Sequence, residues 1–497
     1  MSSVPFLGKL YCTDKMIIAI IRLLVNSFFS TLYPYRKMEV LMLYKQIAEQ
    51  LKKYILNENL KPGDKLPSIR NLTNHFECSK NTIISALKNL EETGLIYAIQ
   101  KQGYFVTQGS DIENEKTITF DFLSAEPNTE ALNTKNLLSC SEKISHDLKN
   151  VLLPYGSQNG LDKLREQLVP YFQNNQVFTN KENIVITTGS QQSIDILFNM
   201  PFSNKKENIL IEQPTYLGAL NSAKLSGKDV LGITIKNGEI DLNQLEYMFK
   251  NNNIKLFYIV PRFHNPLGSS YSIETKKRIV ELAYKYDVYI LEDDYLGELD
   301  LNSKADPLFS YDTHDKVIYL KSFSKIFLPG LRIGAVCLPK SLHATFISFK
   351  FARDIATPVF SQEILATYME NGMFENHIKQ IKPYYAEKMT YTLKCCKELL
   401  PQGITFTTPE TGFYFSIKLP DYISSSDLKT TLKLKNVLVE DVSNMYLFHD
   451  KSTEIIRLSI AKIKQKDIYQ GISIIANEIR NLTEQKKSVF KNWEFYL

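Results

Sequence analysis

The stretch SFSKIFLPGLRIG, residues 322–334, follows an apolar run at Val317–Leu320 that predicts a buried strand. A lysine placed directly after such a strand loses its proton more easily, because burial disfavours the charged amine. Lys325 therefore has the chemistry of a nucleophile towards an aldehyde. The polar side chains around it are of types that bind phosphate, namely Ser322, Ser324 and Arg332. Alone, a lysine near serines is more often simply solvated, so the neighbouring segments decide the assignment.

Two upstream segments place further candidate side chains at the ends of predicted strands. TTGSQQSIDIL, residues 187–197, reads as a strand, a glycine turn and a helix start, where backbone N–H groups together with Ser190 and Gln191 would cradle a phosphate. IEQPTYLG, residues 211–218, puts Tyr216 at the carboxyl end of a strand. An aromatic ring there can stack on a planar ligand, although by itself it would more often belong to the core.

Two more segments supply an amide and an acid. PRFHNPLG, residues 261–268, places Asn265 in an extended turn before a proline, where its amide can donate to a ligand oxygen. ILEDDYLGEL, residues 290–299, ends a strand in carboxylates and a tyrosine, which is either an exposed acidic turn or a ligand site. In the second case the ligand is a pyridine ring that carries a phenolic oxygen. Asp293 can keep the ring nitrogen protonated, so that the ring accepts electrons, and Tyr295 can hydrogen-bond the phenolic oxygen. Together the segments predict a site for pyridoxal 5′-phosphate (PLP).

The pattern around these segments predicts an α/β fold. From Thr117 onwards short apolar strands alternate with helical stretches, which indicates a mainly parallel sheet with helices on both faces. The expected strands are Asn183–Thr187, Asn208–Glu212, Lys255–Val260, Val288–Glu292, Val317–Leu320 and Gly334–Leu338.

Residues 38–107 predict a separate module of three helices and a hairpin. Ser68 and Ser79 are suited to cap the second and third helices, and Gly94 ends the third. This order of elements is that of a winged helix-turn-helix, whose third helix enters the major groove of DNA. A purely structural three-helix module remains open, since residues 38–108 carry nine basic and seven acidic side chains. The outward side chains of the third helix are Lys80, Asn81, Ser85 and Lys88.

Length and composition set the outer limits. The 497 residues, 44% of them hydrophobic, predict two or three domains. A formal net charge of +5 is too mild to indicate nucleic-acid binding by itself. The spacing of the six cysteines suggests neither a zinc site nor a disulfide framework, so we expect no metal and a reducing cytoplasm.

The terminal segments and the linker carry no chemistry of their own. Met16–Phe29 is apolar but interrupted by Arg22, and its 14 residues fall short of the roughly 20 that span a membrane. It resembles the core of a signal peptide only weakly, so residues 1–37 are expected to be an extension or to precede a true start at Met38. We expect a polar linker at 108–116 and a C-terminal tail at 481–497.

The combined motifs resemble a known family. The order TGSQQ, EQPTY, HNPLG, EDDY and SFSK is similar to that of fold-type I PLP enzymes, the aminotransferase fold. LPSIRNL, CSKNTIISALKNLEETGLI and KQGYFV resemble the GntR-type winged helix. Their fusion resembles the MocR family of transcriptional regulators over about residues 38–475, which implies an aminotransferase-like domain at 117–480 with a smaller C-terminal α+β subdomain.

The resemblance also implies roles for individual residues. Lys325 would carry PLP as a Schiff base, Asp293 would face the ring nitrogen, and Asn265 and Tyr295 the phenolic oxygen. Tyr216 would stack on the ring and Arg457 would bind an α-carboxylate. Tyr155 would reach the site of a partner subunit in a homodimer. The implied phosphate ligands are Ser190, Gln191, Ser322, Ser324 and Arg332; the implied DNA contacts are Arg70, Ser79, Lys80, Asn81, Thr82 and Gly103. Lys80 departs from the arginine more usual in GntR modules, and Leu267 from the threonine common in aminotransferases.

Two functions of different classes follow. In the first, the protein is a cytoplasmic regulator that binds double-stranded DNA and senses PLP, or an amino acid or amine, through an aldimine, with no membrane partner. In the second, it is a working aminotransferase of the 2-aminoadipate type, since its catalytic positions are intact. A cofactor-free scaffold that only dimerises is the third alternative.

Overall fold

The computed structural model describes residues 43–55, 60–61, 63–99, 102–107, 118–127, 134–145, 155–302, 306–448 and 454–494, with side chains to 486 in the last range. The chain divides into two compact units, Met1–Thr117 and Ile118–Leu497. The expected extension at 1–37, with its apolar run, and the expected linker at 108–116 lie outside the described residues. Within the described part of the chain, no helix is long and apolar enough to cross a membrane.

The first unit has the predicted order of helices and wing. Its elements are α1 (43–55), α2 (Ile69–His75), α3 (Lys80–Glu92), β1 (Ile96–Ile99) and β2 (Gly103–Val106). Ser68 and Ser79 cap α2 and α3 as expected, each accepting a backbone N–H at 3.2 Å. β1 and β2 pair antiparallel as the wing. The stripe that packs α3 into the core consists of Ile83, Ala86, Leu87 and Leu90.

The second unit is built on an eight-stranded sheet. The strands lie in the order β4-β11-β10-β9-β8-β5-β6-β7. Their bounds are β4 (Ile184–Thr188), β5 (Asn208–Gln213), β6 (Val230–Lys236), β7 (Glu239–Ile240), β8 (Ile254–Ile259), β9 (Tyr289–Asp294), β10 (Val317–Ser322) and β11 (Ile333–Cys337).

This sheet confirms the mainly parallel prediction, with all six expected strands present within a residue or two. β5, β6, β8, β9 and β10 pair parallel with one another. β11 pairs antiparallel with both β4 and β10, because only a loop and not a crossover helix joins it to β10. The carboxyl ends of β8, β9 and β10 therefore meet at one edge, where the predicted site segments begin.

Both faces of the sheet are covered. On β5, Ile209 and Ile211 enter one hydrophobic core and Leu210 enters the other, as alternation of side chains along a strand requires. The helices of this part of the chain are α4 (Thr134–Ser145), α5 (Asp162–Asn174), α6 (Ser190–Asn199), α7 (Leu217–Leu225), α8 (Leu242–Asn251), α9 (Ile273–Lys285), α10 (Lys340–Asp354) and α11 (Val359–Glu370).

A smaller α+β lobe follows, as the resemblance implies. Its four-stranded antiparallel sheet has the order β12-β13-β16-β15, and a two-residue strand near the start of the unit, β3, pairs parallel with β14. The elements are β3 (Phe120–Asp121), α12 (Met373–Leu399), β12 (Thr405–Phe406), β13 (Tyr414–Lys418), α13 (Ser425–Leu434), β14 (Val437–Leu438), β15 (Glu440–Asp441), β16 (Ile455–Ser459) and α14 (Gln465–Glu494).

The prediction of a separate C-terminal tail that begins at residue 481 is corrected by the structure, because α14 (Gln465–Glu494) continues through this position. This helix runs through the boundary placed at 480, because no proline or glycine interrupts it there. Ile479 is fully buried and Leu482 packs against the same core, so the apolar stripe crosses the boundary as well.

Candidate cofactor site and DNA-facing surface

Lys325 lies in the turn after β10, as predicted, and is largely withdrawn from solvent. Its Nζ donates a hydrogen bond to the carbonyl of Ala125 at 2.9 Å. Burial, and then the positive charges of Arg457 and Arg332, lower its pKa to about 8. About a tenth of this amine is therefore neutral and nucleophilic at pH 7, a much larger share than for an ordinary lysine.

Asp293 offers one free carboxylate oxygen in a buried position. Oδ2 accepts a hydrogen bond from the hydroxyl of Tyr258 at 2.7 Å. Oδ1 is buried and has no partner among the described residues. Burial raises the pKa of Asp293 to about 7, and the bond from Tyr258 opposes that rise. An orphaned acceptor of this kind fits the N–H of a protonated pyridine ring.

The predicted phosphate ligands lie where β4 leads into α6 and in the turn after β10. Gly189 has a φ of 75° and precedes Ser190, the first residue of α6, so the helix begins at the end of the strand. Arg332 donates from Nη1 to Ser324 Oγ at 3.2 Å, and Ser322 Oγ accepts the backbone N–H of Ser324 at 3.4 Å. Within the described residues Arg332 has no carboxylate partner, so its guanidinium is available to bind the phosphate group of a ligand.

The Gln191 side chain is placed differently from expectation. Its Nε2 donates to the carbonyl of Gly218 at 3.0 Å and to Ser222 Oγ at 2.8 Å, which ties α6 to α7. Both of its N–H groups are thereby used, because an amide nitrogen has two. Only the backbone N–H of Gln191 remains for a phosphate at the start of the helix.

The two predicted tyrosines line the same edge of the sheet. Tyr216 stands at the N-cap of α7 and is half-buried; burial, and then Asp293, raise the pKa of its hydroxyl. Tyr295 is buried, and its hydroxyl donates to the carbonyl of Phe263, in the loop that carries Asn265. That hydroxyl is thus held beside the loop, and must change partner to serve a phenolic oxygen.

Arg457 and Asn265 are brought into direct contact. Nη1 of Arg457 donates to Asn265 Oδ1 at 3.2 Å, and Nη2 donates to the carbonyl of Leu123 at 3.1 Å. The guanidinium lies 4.5 Å from the ring centre of Tyr414. Its Nε is buried without a partner among the described residues. A buried arginine without an acid beside it fits the carboxylate of a ligand.

Several residues that contact the candidate site residues were not predicted from the sequence. Leu123 and Ala125 act through their backbone carbonyls on Arg457 and Lys325, and a backbone group leaves no mark in the residue type. Tyr258 belongs to an apolar strand and reads as core, and Tyr414 belongs to the motif TGFYF, which has no charged member. Tyr155, predicted to serve a partner subunit, is 91% exposed within its own chain.

The first unit brings three of the six predicted DNA contacts together in one cleft. A cleft of about 600 Å³ is lined by the start of α2, the start of α3 and the wing, including Arg70, Lys80 and Gly103. Ser79 and Asn81 are also exposed. Thr82 departs from expectation: it is 4% exposed, and its hydroxyl pairs with Ser79 Oγ at 2.8 Å, so it supports the helix cap from inside.

Comparison with known proteins assigns both units. Residues 121–475 match the family Aminotransferase class I and II, and residues 43–106 match the bacterial regulatory proteins of the gntR family. An uncharacterized HTH-type transcriptional regulator of Bacillus subtilis, YcxD, is 34% identical and covers 88% of this chain and 99% of its own. Aromatic-amino-acid aminotransferase 1 of Thermococcus litoralis is 30% identical over 67% of this chain and 81% of its own.

A solved structure gives the same assignment for the second unit. The kynurenine aminotransferase of Pyrococcus horikoshii, in complex with PMP, superposes with a TM-score of 0.69 at 27% identity, over 74% of this chain and 92% of that one. The fit of Asp293, Arg332 and Lys325 to a phosphorylated pyridine aldehyde agrees with PLP as the cofactor. The chain belongs to the aminotransferase class I and II family and, through its gntR-type first unit, to the MocR family of HTH-type transcriptional regulators.

Proposed function

We propose that this protein is a cytoplasmic, homodimeric regulator that binds double-stranded DNA through its first unit and an amino acid or amine at the PLP site of its second unit. The observation that carries the proposal is the charge of that site. Arg332, Arg457 and Lys325 face it without a paired carboxylate among the described residues, and Asp293 keeps one oxygen free. Such a site is complete only with anionic ligands.

The cofactor supplies an aldehyde and an electron-accepting ring when it is bound. Lys325 would attach it, and its amine would be placed to hold a proton beside the reacting carbon. Asp293 Oδ1 would accept the ring N–H, and Arg332 and Ser324 would bind the phosphate. The backbone N–H groups at the start of α6 would complete the phosphate cup.

Arg457 favours an amino acid over a simple amine as the sensed compound. Its remaining N–H groups form a fork that matches a carboxylate, and its place on β16 is fixed by Asn265, Leu123 and Tyr414. An amine without a carboxylate would leave this buried cation unpaired, which is costly in a site of low polarity.

An exposed apolar surface supports the homodimer. Tyr155 is 91% exposed, and a side chain built on Gly156 would meet Val359 at 2.9 Å, so the Tyr155 segment adjoins the start of α11. Phe351 and Phe360, at 50% and 39% exposure, lie on α10 and α11 near that point in the chain. Large apolar side chains on neighbouring elements favour contact with a second copy.

A mobility shift with DNA from upstream of its own gene tests the regulator. We expect binding that changes in affinity when PLP and then single amino acids are added, with the GntR-unit variant Lys80→Ala as the matched control. Absence of binding to this DNA with and without PLP would contradict the proposal.

Turnover as an aminotransferase is the second candidate function, and the lowered pKa of Lys325 favours it, because that group can act as a base near neutral pH. Single-turnover mixing of the PLP-loaded protein with the common amino acids tests it. Conversion of the cofactor absorbance followed by its return with a 2-oxo acid is expected of an enzyme. A spectrum that no amino acid changes would exclude this function and leave the DNA experiment unaffected.

A further inference from the structure

The structure assigns to Tyr258 the role of a positioning residue that holds Asp293 for the pyridine nitrogen of the cofactor. The inference rests on the proposed PLP site. It adds Tyr258, from a central strand of the sheet, to the residues that form that site. Tyr258 lies on β8, next to β9, and is fully buried. Its hydroxyl is 2.7 Å from Asp293 Oδ2.

The direction of this hydrogen bond follows from the chemistry of both groups. Burial and the neighbouring Asp293 raise the pKa of the Tyr258 hydroxyl far above its usual value, so it keeps its proton and donates. An ionised carboxylate can only accept. The bond therefore stabilises the charged form of Asp293, which burial disfavours.

The same bond fixes which oxygen faces the ligand. With Oδ2 engaged by Tyr258, Oδ1 is left as the buried acceptor without a partner among the described residues. The Tyr258 ring is itself held edge-on against Phe198 at 6.1 Å, inside the core beneath the site. Without the hydroxyl, the carboxylate would lose both its orientation and the donor that keeps it charged.

The next residue on β9 provides a matched control. Asp294 Oδ2 accepts a hydrogen bond from the hydroxyl of Tyr319 at 2.6 Å, and Tyr319 is as deeply buried as Tyr258. Asp294 also pairs with Arg262, whereas Asp293 has no cation within hydrogen-bonding distance among the described residues. Tyr319→Phe thus removes the same buried hydroxyl from an adjacent aspartate that does not face the cofactor.

The test measures affinity for PLP and for 1-deaza-PLP, in which a C–H group replaces the ring nitrogen. Full-length wild type, Tyr258→Phe and Tyr319→Phe are titrated as apoproteins, and binding is followed by absorbance. We expect Tyr258→Phe to weaken PLP by about tenfold, the effect of losing one charge-assisted hydrogen bond, and to leave 1-deaza-PLP within about twofold of wild type. Tyr319→Phe should leave the ratio of the two affinities at its wild-type value.

Each other outcome has a defined meaning. Equal losses for both ligands in Tyr258→Phe, or no loss for either, would overturn the role of Tyr258 while the PLP site stands. A change of the affinity ratio in Tyr319→Phe as large as that in Tyr258→Phe would also overturn it. Wild-type protein that binds PLP no better than 1-deaza-PLP would instead refute the assignment of Asp293 in the proposed function.

Discussion

Arg457 donates a hydrogen bond to the side-chain oxygen of Asn265 at 3.2 Å, although the two residues lie 192 positions apart in the chain. Arginine has only donors, so the atom of Asn265 that faces it is the amide oxygen. The Asn265 NH₂ group is thereby left for another acceptor, such as the phenolic oxygen of the cofactor. One contact therefore orients both Arg457, proposed to bind a ligand carboxylate, and Asn265, proposed to face the cofactor ring.

This contact predicts that Asn265→Asp will separate amino-acid binding from cofactor attachment. The new carboxylate would pair with Arg457 and occupy the cation that a ligand carboxylate needs. PLP should still attach to Lys325, with a shifted absorbance band, while affinity for an amino acid falls more than about tenfold. Spectral titration with an amino acid and with its decarboxylated amine measures this, and an equal loss for both ligands would refute the prediction.

The lowered pKa of Lys325 predicts how cofactor attachment depends on pH. The neutral amine attacks the aldehyde, so the rate should rise as pH increases through about 8, the pKa of this lysine, whereas an ordinary lysine titrates near 10.4. Stopped-flow mixing of apoprotein with PLP between pH 6 and 10 gives the midpoint. Lys325→Ala should abolish borohydride-stable labelling and the exposed Lys418→Ala should not; a midpoint near 10 would contradict the assigned burial effect.

Gly189 predicts a selective effect on the phosphate. A Cβ at this position would lie 2.5 Å from Nη2 of Arg332, so Gly189→Ala must displace the arginine. We expect PLP to bind at least about tenfold more weakly and pyridoxal, which lacks the phosphate, to be little affected.

Gly227→Ala is the matched control for that variant. Gly227 has a φ of 67°, close to the 75° of Gly189, but a Cβ there has no atom within 4 Å. Both variants should lose folding free energy because a Cβ is disfavoured at positive φ, and Gly189→Ala should lose roughly 1–3 kcal/mol because its ψ of 164° is adopted almost only by glycine; urea unfolding measures both losses. If Gly227→Ala weakened PLP as much as Gly189→Ala, backbone strain and not Arg332 would be the cause.

The exposed cations of the first unit predict a loss of DNA affinity that depends on salt. Arg70→Ala and Lys80→Ala each remove one charge from the cleft between α2, α3 and the wing. Each should lower the slope of log affinity against log salt by about one. Lys88 is exposed near the other end of α3, beside Glu92, and Lys88→Ala should change the slope far less. Identical slopes for all three variants and wild type would argue against this surface.

The buried pair of Arg262 and Asp294 predicts acid-sensitive stability. Burial alone would raise the pKa of Asp294, but Arg262, Lys321 and the hydroxyl of Tyr319 outweigh it and lower that pKa to about 2. Since an unfolded aspartate titrates near 3.9, the stabilisation is complete above about pH 5 and is lost as pH falls towards 2.

Removing the cation tests that pair directly. Arg262→Ala leaves a buried carboxylate unpaired and should cost about 3–5 kcal/mol in urea unfolding at pH 7. The exposed pair of Arg278 and Glu281 offers the control, because Arg278→Ala should cost at most about 1 kcal/mol. A small cost for Arg262→Ala, or the same cost at pH 3 as at pH 7, would count against the pair.

The residues proposed to bind and activate the cofactor directly were readable in the sequence, because their motifs are local. Lys325, Asp293 and Ser190 each stand at the end of an apolar strand, and the alternation of strands and helices brings such ends to one edge of a sheet. The helix caps Ser68 and Ser79 were readable for the same reason, since a cap acts within three residues.

Tertiary structure alone decided how those residues are oriented and which partners they have. It turned the Gln191 side chain towards α7, buried Thr82 under the cap of α3, and continued α14 past the boundary expected at 480. It also paired Tyr258 with Asp293 and Arg457 with Asn265. These two contacts join residues 35 and 192 positions apart in the chain, and a side chain's partner depends on distance in space, which a local pattern of residues does not contain.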